Sequence, residues 1–255
     1  MPHQSTQRFS NRVGDYSRAR PDYPTAVFDW LHDLGALSDN SQVADMGSGT
    51  GISTLPLLTH AAKVYAVEPN DAMRQSAETN LAGHIGFISI NGTAEATTLP
   101  DQCVDLIVAG QAFHWFDPAP TRQEWQRILK PTGQVVLMWN DRDIHSTAFL
   151  LGYEAMLQTH GTDYREVNHT QIDEQRVAQF YGHPPRCQRF PNKQVFDLDG
   201  MLARLRSSSY TPAPDQLGFA PMMDAARALF EQHEQHGQIE FLYQTVVYCG
   251  SLCSN

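Results

Sequence analysis

The sequence predicts an α/β fold built on a parallel sheet, and three observations carry that prediction. Short β-branched or apolar runs alternate with helical stretches through residues 43–139, the pattern of parallel strands joined by crossover helices. The first of these runs leads into a turn with glycine at every second position, Gly47, Gly49 and Gly51. The second ends in an acid, Glu68, 17 residues after Gly51.

Taken in order, the first forty residues mix aromatics, arginines and prolines, from Phe9 through Tyr16, Arg20-Pro21 and Tyr23-Pro24. They read as an arm leading into a helix over 25–34. Strands are expected at 43–46, 63–67, 85–90, 104–109 and 134–139, with helices at 52–59, 71–81 and 118–129 between them. Lys130-Pro131-Thr132-Gly133 stops the last of these helices. From 140 to about 182 the alternation is suspended and the text turns helical and polar, most clearly at 147–158, as in an inserted cap. A strand returns at 189–198, helices follow at 199–207 and 215–236, and an alternating run at 239–248 reads as a last, hairpin-paired strand. No internal repeat appears, so one domain with a cap is the economical division. Its parts are an arm and helix over 1–40, a core over 41–140, a cap over 141–236 containing the strand near 189–198, and a final strand within 237–255.

At 255 residues and 41% hydrophobic content the chain can bury a core of its own. No apolar run is long enough to cross a bilayer, and the start lacks the layout of a signal peptide, so a soluble cytoplasmic protein is expected. The cysteines at 103, 187, 249 and 253 have neither metal-cage nor disulfide-framework spacing and read as free thiols. A formal charge of -10 disfavours a phosphate backbone as substrate.

Chemistry concentrates at strand ends. In Asp45-Met46-Gly47-Ser48-Gly49-Thr50-Gly51 a tight turn lets backbone approach a ligand, and the following helix offers N–H groups. A dinucleotide fingerprint needs a further glycine where Ile52 stands, which argues against NAD or FAD. Glu68, followed by Pro69, is placed to accept hydrogen bonds from a ribose diol. After the third strand, Ala94 and Glu95 stand where an adenine edge would be read. Each feature alone has a bland alternative: a helix cap, a solvated loop acid, an exposed turn.

Together these residues resemble the class I S-adenosylmethionine-dependent methyltransferases, and more narrowly the group of trans-aconitate and related small-molecule methyltransferases. The likeness extends to Asp105-Leu106-Ile107-Val108, to Gln111-Ala112-Phe113-His114-Trp115-Phe116, and to Leu129–Gln134, where Thr132 replaces a common second glycine. It implies a Rossmann-like seven-stranded mixed sheet flanked by helices, its last strands forming an antiparallel hairpin, with a helical cap inserted after the fifth strand. It implies S-adenosylmethionine as cofactor, S-adenosylhomocysteine as product, and an arm containing Arg12, Tyr16 and Arg20 laid over them. The implied cofactor residues are Tyr16, Arg20, Asp45, Gly47, Gly49, Gly51, Glu68, Pro69, Ala94, Glu95 and Gln111.

The implied partner is a small-molecule methyl acceptor, a carboxylic acid or another O-acceptor, with no nucleic acid and no membrane span. Its expected contacts are Arg12, His114, Trp115, Phe116 and Arg142. Methyl transfer is an in-line displacement that asks for alignment and exclusion of water. A carboxylate acceptor needs cations, whereas a phenol or amine needs a base, for which His114 is the catalytic candidate. Asp141 and Asp143 flank Arg142 before a helix, where acids serve as caps, so no metal is expected. A non-catalytic S-adenosylmethionine- or lipid-binding module, and a nucleotide-dependent oxidoreductase, are the alternatives from other classes.

Overall fold

The computed structural model describes residues 20–162, 164, 174–208 and 210–252. Helix α1 (Thr25–Asp33) precedes β1 (Gln42–Met46), α2 (Thr54–Leu57), β2 (Lys63–Val67), α3 (Asp71–Leu81) and β3 (Phe87–Ile90). Then come β4 (Val104–Gly110), a 3-10 turn (Phe113–Trp115), α4 (Pro118–Ile128), β5 (Leu129–Arg142) and α5 (Ala148–His160). Helix α6 (Glu174–Tyr181), β6 (Arg186–Phe196), α7 (Leu198–Arg206), α8 (Phe219–His233) and β7 (Ile239–Gly250) complete the described elements.

The seven strands form one sheet in the order β3-β2-β1-β4-β5-β7-β6. Strands β1 to β5 pair in parallel, while β7 runs antiparallel to both neighbours, β5 and β6. The expected mixed sheet is therefore present. Its antiparallel closing pair is joined through α7 and α8 rather than by a tight turn. Strand order reverses between β1 and β4, so the loops after β1, β2 and β4 open on one crevice, where open α/β sheets bind ligands.

Both sheet faces are covered, which explains why the central strands read as continuous apolar runs. One face packs Ala44, Ile107, Val135 and Leu137 against Trp125 of α4 and Val177 and Phe180 of α6. The other packs Val43, Leu106, Val136 and Met138 against Phe28 and Leu31 of α1 and Leu57 of α2. A satellite core gathers Phe149, Leu150 and Tyr153 of α5, Met201 and Leu205 of α7, and Met222 and Phe230 of α8 on Phe241 of β7. Residues 141–236 thus contribute α6 to the main sheet as well as the helices of the satellite.

Several elements depart from their expected ranges, two of them for reasons that the structure shows. The helix expected over 52–59 keeps only Thr54–Leu57 as α-helix, Pro56 lacking the N–H that a longer ladder needs. Strand β5 extends to Arg142 because β7 pairs with it through Asn140↔Thr245 and Arg142↔Tyr243, a partner invisible in the local text. Among the described residues no helix is long and apolar enough to cross a membrane.

Candidate active site

The glycine turn is held against the end of β2, where the N–H groups of Gly47 and Ser48 donate to the Val67 carbonyl at 2.9 and 3.2 Å. Gly47 has φ +65, and a Cβ there would lie 2.8 Å from Ala112 Cβ and 3.3 Å from Phe116 Cζ. Only glycine permits both that dihedral and that approach, so the turn after β1 touches the loop after β4. Gly51, at φ +91, leaves room for Leu81 of α3, which a Cβ would meet at 2.7 Å.

Asp45 is fully buried beneath the turn. Its Oδ2 accepts from Ser53 Oγ at 2.8 Å and Thr54 Oγ1 at 2.6 Å. Its Oδ1 is buried with no hydrogen-bond partner among the described residues. Burial pushes the carboxyl up to about 6, with the Glu68 charge adding to the rise and the two hydroxyls opposing it. An unsatisfied buried acceptor is costly and calls for an explanation.

Glu68 closes the turn from the tip of β2. Its Oε2 accepts the Gly49 N–H at 3.0 Å and its Oε1 the Asn70 N–H at 2.8 Å. Burial raises this carboxyl too, against the pull of those two N–H donors and of Arg74. Each carboxylate oxygen keeps a second lone pair for further donors. Pro69 beside it is exposed, and Asn70 caps α3 by accepting from Met73 N.

On the third side, the Ala94 carbonyl accepts Trp125 Nε1 at 3.1 Å, and Glu95 accepts the Asp117 N–H at 3.1 Å. The segment is pinned by Glu124, which sequence reasoning missed: its Oε1 accepts Thr97 N at 2.8 Å and Thr97 Oγ1 at 2.5 Å. The hydrogen bonds from Arg127 hold the Glu124 carboxyl down to about 2, helped by those from Thr97. A carboxylate depressed in the folded state adds stability above its unfolded pKa that is lost as pH falls through the folded one. Glu124→Gln is therefore expected to cost about 1 kcal/mol at pH 7, discounted for solvent screening. Urea denaturation should show that gap closing between about pH 4.5 and 2; a gap independent of pH would refute the assignment.

Beyond β4 the backbone is strained at Gln111, a non-glycine residue at φ +55, the kind of cost that clusters at functional sites. Its N–H donates to the Met138 carbonyl at 2.9 Å, and its Nε2 to the Asn140 carbonyl at 3.2 Å. His114 is half-buried on the 3-10 turn, its ring 4.7 Å from that of Trp115. The two following aromatics part company: Trp115 is 48% exposed, whereas Phe116 packs edge-on to Phe113 and Trp125 and under Gly47. Asn140, also missed in the sequence, is the hub of this edge. It donates to the Pro21 and Asp22 carbonyls at 3.1 and 3.0 Å and accepts from Thr245 Oγ1 at 2.5 Å. The end of the arm is thereby tied across β5.

Two residues on from that hub, Arg142 Nη2 meets Glu154 Oε2 at 2.5 Å and donates to the Tyr164 hydroxyl at 3.0 Å. Asp143 accepts the N–H groups of His145 and Ser146 at 2.9 and 3.0 Å, as a turn cap does. Among the described residues no group of three His, Cys, Asp or Glu could hold a metal ion. Arg12 and Tyr16 lie outside the described residues. Gly47, Gly49, Gly51, Glu68, Ala94, Glu95, Gln111 and His114 lie on the loops that follow β1 to β4 at one end of the sheet, with Asp45 at the end of β1, Arg142 at the end of β5 and Arg20 on the segment tied to Asn140.

Residues 44–137 match the family model described as a methyltransferase domain. An uncharacterized methyltransferase of Mycobacterium tuberculosis is 38% identical over 135 residues, 53% of each chain. An uncharacterized methyltransferase-like protein of Schizosaccharomyces pombe is 27% identical over 94% of this chain and 93% of its own. The alignments at the higher identities thus span about half the length of the curated relatives. Among solved structures, a putative methyltransferase from an antibiotic biosynthesis pathway of Anabaena variabilis has the same fold. Its TM-score is 0.62 at 20% identity, covering 91% of this chain and 99% of that one.

Proposed function

We propose that this chain, whose residues 44–137 match the methyltransferase domain model, is a class I methyltransferase that binds S-adenosylmethionine in the crevice and transfers its methyl group to a small-molecule acceptor. The observation that carries the reading is the pair of buried acids around the glycine turn. Asp45 Oδ1 lacks a donor, and Glu68 holds the turn with lone pairs to spare. A buried acid with one oxygen unpartnered among the described residues fits a cationic, donor-rich ligand, which S-adenosylmethionine is. Gly47, Gly49 and Gly51 keep the backbone bare for it, Glu68 with Pro69 takes the ribose side, and Ala94 with Glu95 the adenine side. Gln111 lines the β4 end, Arg20 stands on the segment tied to Asn140, and Tyr16 is a further cofactor contact in this reading.

The cofactor supplies an electrophilic methyl on sulfur; the chain aligns the acceptor and excludes water. Arg142, with Arg12 on the arm, orients an anionic O-acceptor such as a carboxylate, which is already ionised at neutral pH and needs no base. For an acceptor bearing a proton, His114 takes it, with Trp115 on the exposed side of the same turn and Phe116 beneath Gly47. The net charge of -10 favours a small molecule over nucleic acid. Free thiols at Cys103, Cys187 and Cys249 suit the reducing cytoplasm.

Calorimetric titration of the purified chain tests this. S-adenosylmethionine and S-adenosylhomocysteine are expected to bind and NAD is not. Binding of NAD alone would overturn the reading.

A further inference from the structure

The satellite core contains a cation that its surroundings do not neutralise. Arg204 of α7 is 6% exposed, and the hydrogen bonds of its guanidinium all go to tyrosine hydroxyls. Nε and Nη2 donate to the Tyr243 hydroxyl at 3.1 and 2.9 Å, and Nη1 donates to the Tyr153 hydroxyl at 3.1 Å. Its charge lies 4.3 Å from the centre of the Phe241 ring. No acid among the described residues pairs with it. Buried arginines are normally matched by a carboxylate, because ring faces and hydroxyls return only part of the lost hydration.

A second guanidinium shares the same wall. Arg142 and Arg204 lie 5.2 and 5.7 Å from the centroid of one ring, that of Tyr153. Arg142 has an 8% exposed side chain, and Glu154 takes its Nη2, leaving Nη1 buried with no hydrogen-bond partner among the described residues. The Glu154 charge is already committed, since its Oε2 also accepts the Tyr164 hydroxyl at 2.6 Å. Tyr164 packs edge-on to Tyr210 at 4.9 Å. Burial alone would raise the Tyr210 phenol, but the charges of Arg204 and Arg20, a hydrogen bond with Ser208 and the charge of Arg142 together pull it below its usual value. Three cations thus act on one phenol, and the only acid hydrogen-bonded within the described cluster is Glu154. The cluster stands where Arg142 pairs with Tyr243, at the same end of the sheet as the glycine turn.

We infer that Arg204 and Arg142, framed by Tyr153, Tyr164 and Tyr243, form the receptor for an anionic group, a carboxylate or a phosphate, carried by the methyl acceptor, and that Arg204 is the residue that selects for it. This rests on the methyltransferase reading for the word acceptor, but the receptor itself can be tested without turnover. Oxyanions suit planar guanidinium forks, and the partnerless Nη1 of Arg142 beside the tyrosine-bound fork of Arg204 fits a multipoint grip.

The experiment is a thermal-shift titration of the full chain, saturated with S-adenosylhomocysteine, using sodium acetate, sodium phosphate and, at matched ionic strength, sodium chloride. Acetate or phosphate is expected to raise the midpoint saturably while chloride does not, and whichever acts identifies the group. Arg204→Gln and Arg142→Gln should each weaken that anion at least tenfold, with Arg204→Lys in between and calorimetric affinity for S-adenosylhomocysteine within about twofold of wild type. Arg142→Gln decides alone if Arg204→Gln does not fold. Equal response to all three salts, or unchanged anion affinity in a folded Arg142→Gln protein, would overturn the inference while leaving the methyltransferase reading intact. Anion binding without any S-adenosylhomocysteine binding would do the reverse.

Discussion

Glu68→Ala is expected to lower affinity for S-adenosylmethionine by about 100-fold or more in calorimetry, with the fold retained. Hydrogen bonds to a charged group are worth about 1.5–3 kcal/mol each, and a carboxylate gripping a ribose diol makes two. Tenfold in affinity corresponds to about 1.4 kcal/mol, so losing both bonds accounts for two or more decades. A second loss adds to the first, because Glu68 also receives the N–H groups of Gly49 and Asn70. Without it the glycine turn is no longer tied to the start of α3. Stability should change little, since burial already raises the carboxyl above its ordinary value, so that its removal relieves a cost as well as losing bonds. Glu68→Gln, which preserves an acceptor, should sit between the two proteins. Binding by Glu68→Ala within about threefold of wild type would dispose of the ribose assignment.

The core strands and their order of appearance were legible because each is a short apolar run covered on both faces, and because glycine and proline punctuate the text between them. The turn at Gly47 was legible for a stronger reason: its φ of +65 and the 2.8 Å approach to Ala112 admit no other residue, so the structural demand is written directly into the sequence. What the text could not carry were partnerships between distant segments. The last residues of β5 depend on β7, more than a hundred positions away, and Asn140 becomes a hub only when Pro21, Asp22 and Thr245 arrive beside it. Glu124 likewise reads as one more polar residue on a helix until Thr97 is brought to it.

The aromatic loop shows the same limit at side-chain scale. Phe113, His114, Trp115 and Phe116 follow one another, yet Phe113 and Phe116 face the core and Trp115 faces solvent, because a 3-10 turn distributes successive residues around its axis. Arg204 was passed over for a related reason. It lies in an amphipathic run where a cation reads as solvated surface, and only the packing of α7 on Phe241 and Tyr243 buries it. Buried charge is the signal that would have found it, and burial of a single helix position is a tertiary property.

Asp45→Asn should move stability and binding in opposite directions. In the folded protein burial lifts the Asp45 carboxyl to about 6, whereas the unfolded chain releases that proton near 3.9. Between these values the folded state holds a proton that the unfolded state has lost, so stability falls as pH rises through the interval and the penalty is complete above about 6. At 1.36 kcal/mol per unit this is on the order of 2–3 kcal/mol at neutral pH. Asparagine removes the charge and can still accept from Ser53 or Thr54, so a gain of about 1–2 kcal/mol in urea denaturation at pH 7 is expected, allowing for part of those bonds being lost. The dependence of stability on pH between about 4 and 6 should flatten with it. The same exchange takes from the site its buried negative charge, so affinity for the cationic cofactor should drop tenfold or more even as the free protein gains stability. A variant that binds as well as wild type, or that unfolds more easily at pH 7, would mean that Asp45 serves chiefly as the clamp on α2 through Ser53 and Thr54, and that its unpartnered oxygen awaits no ligand.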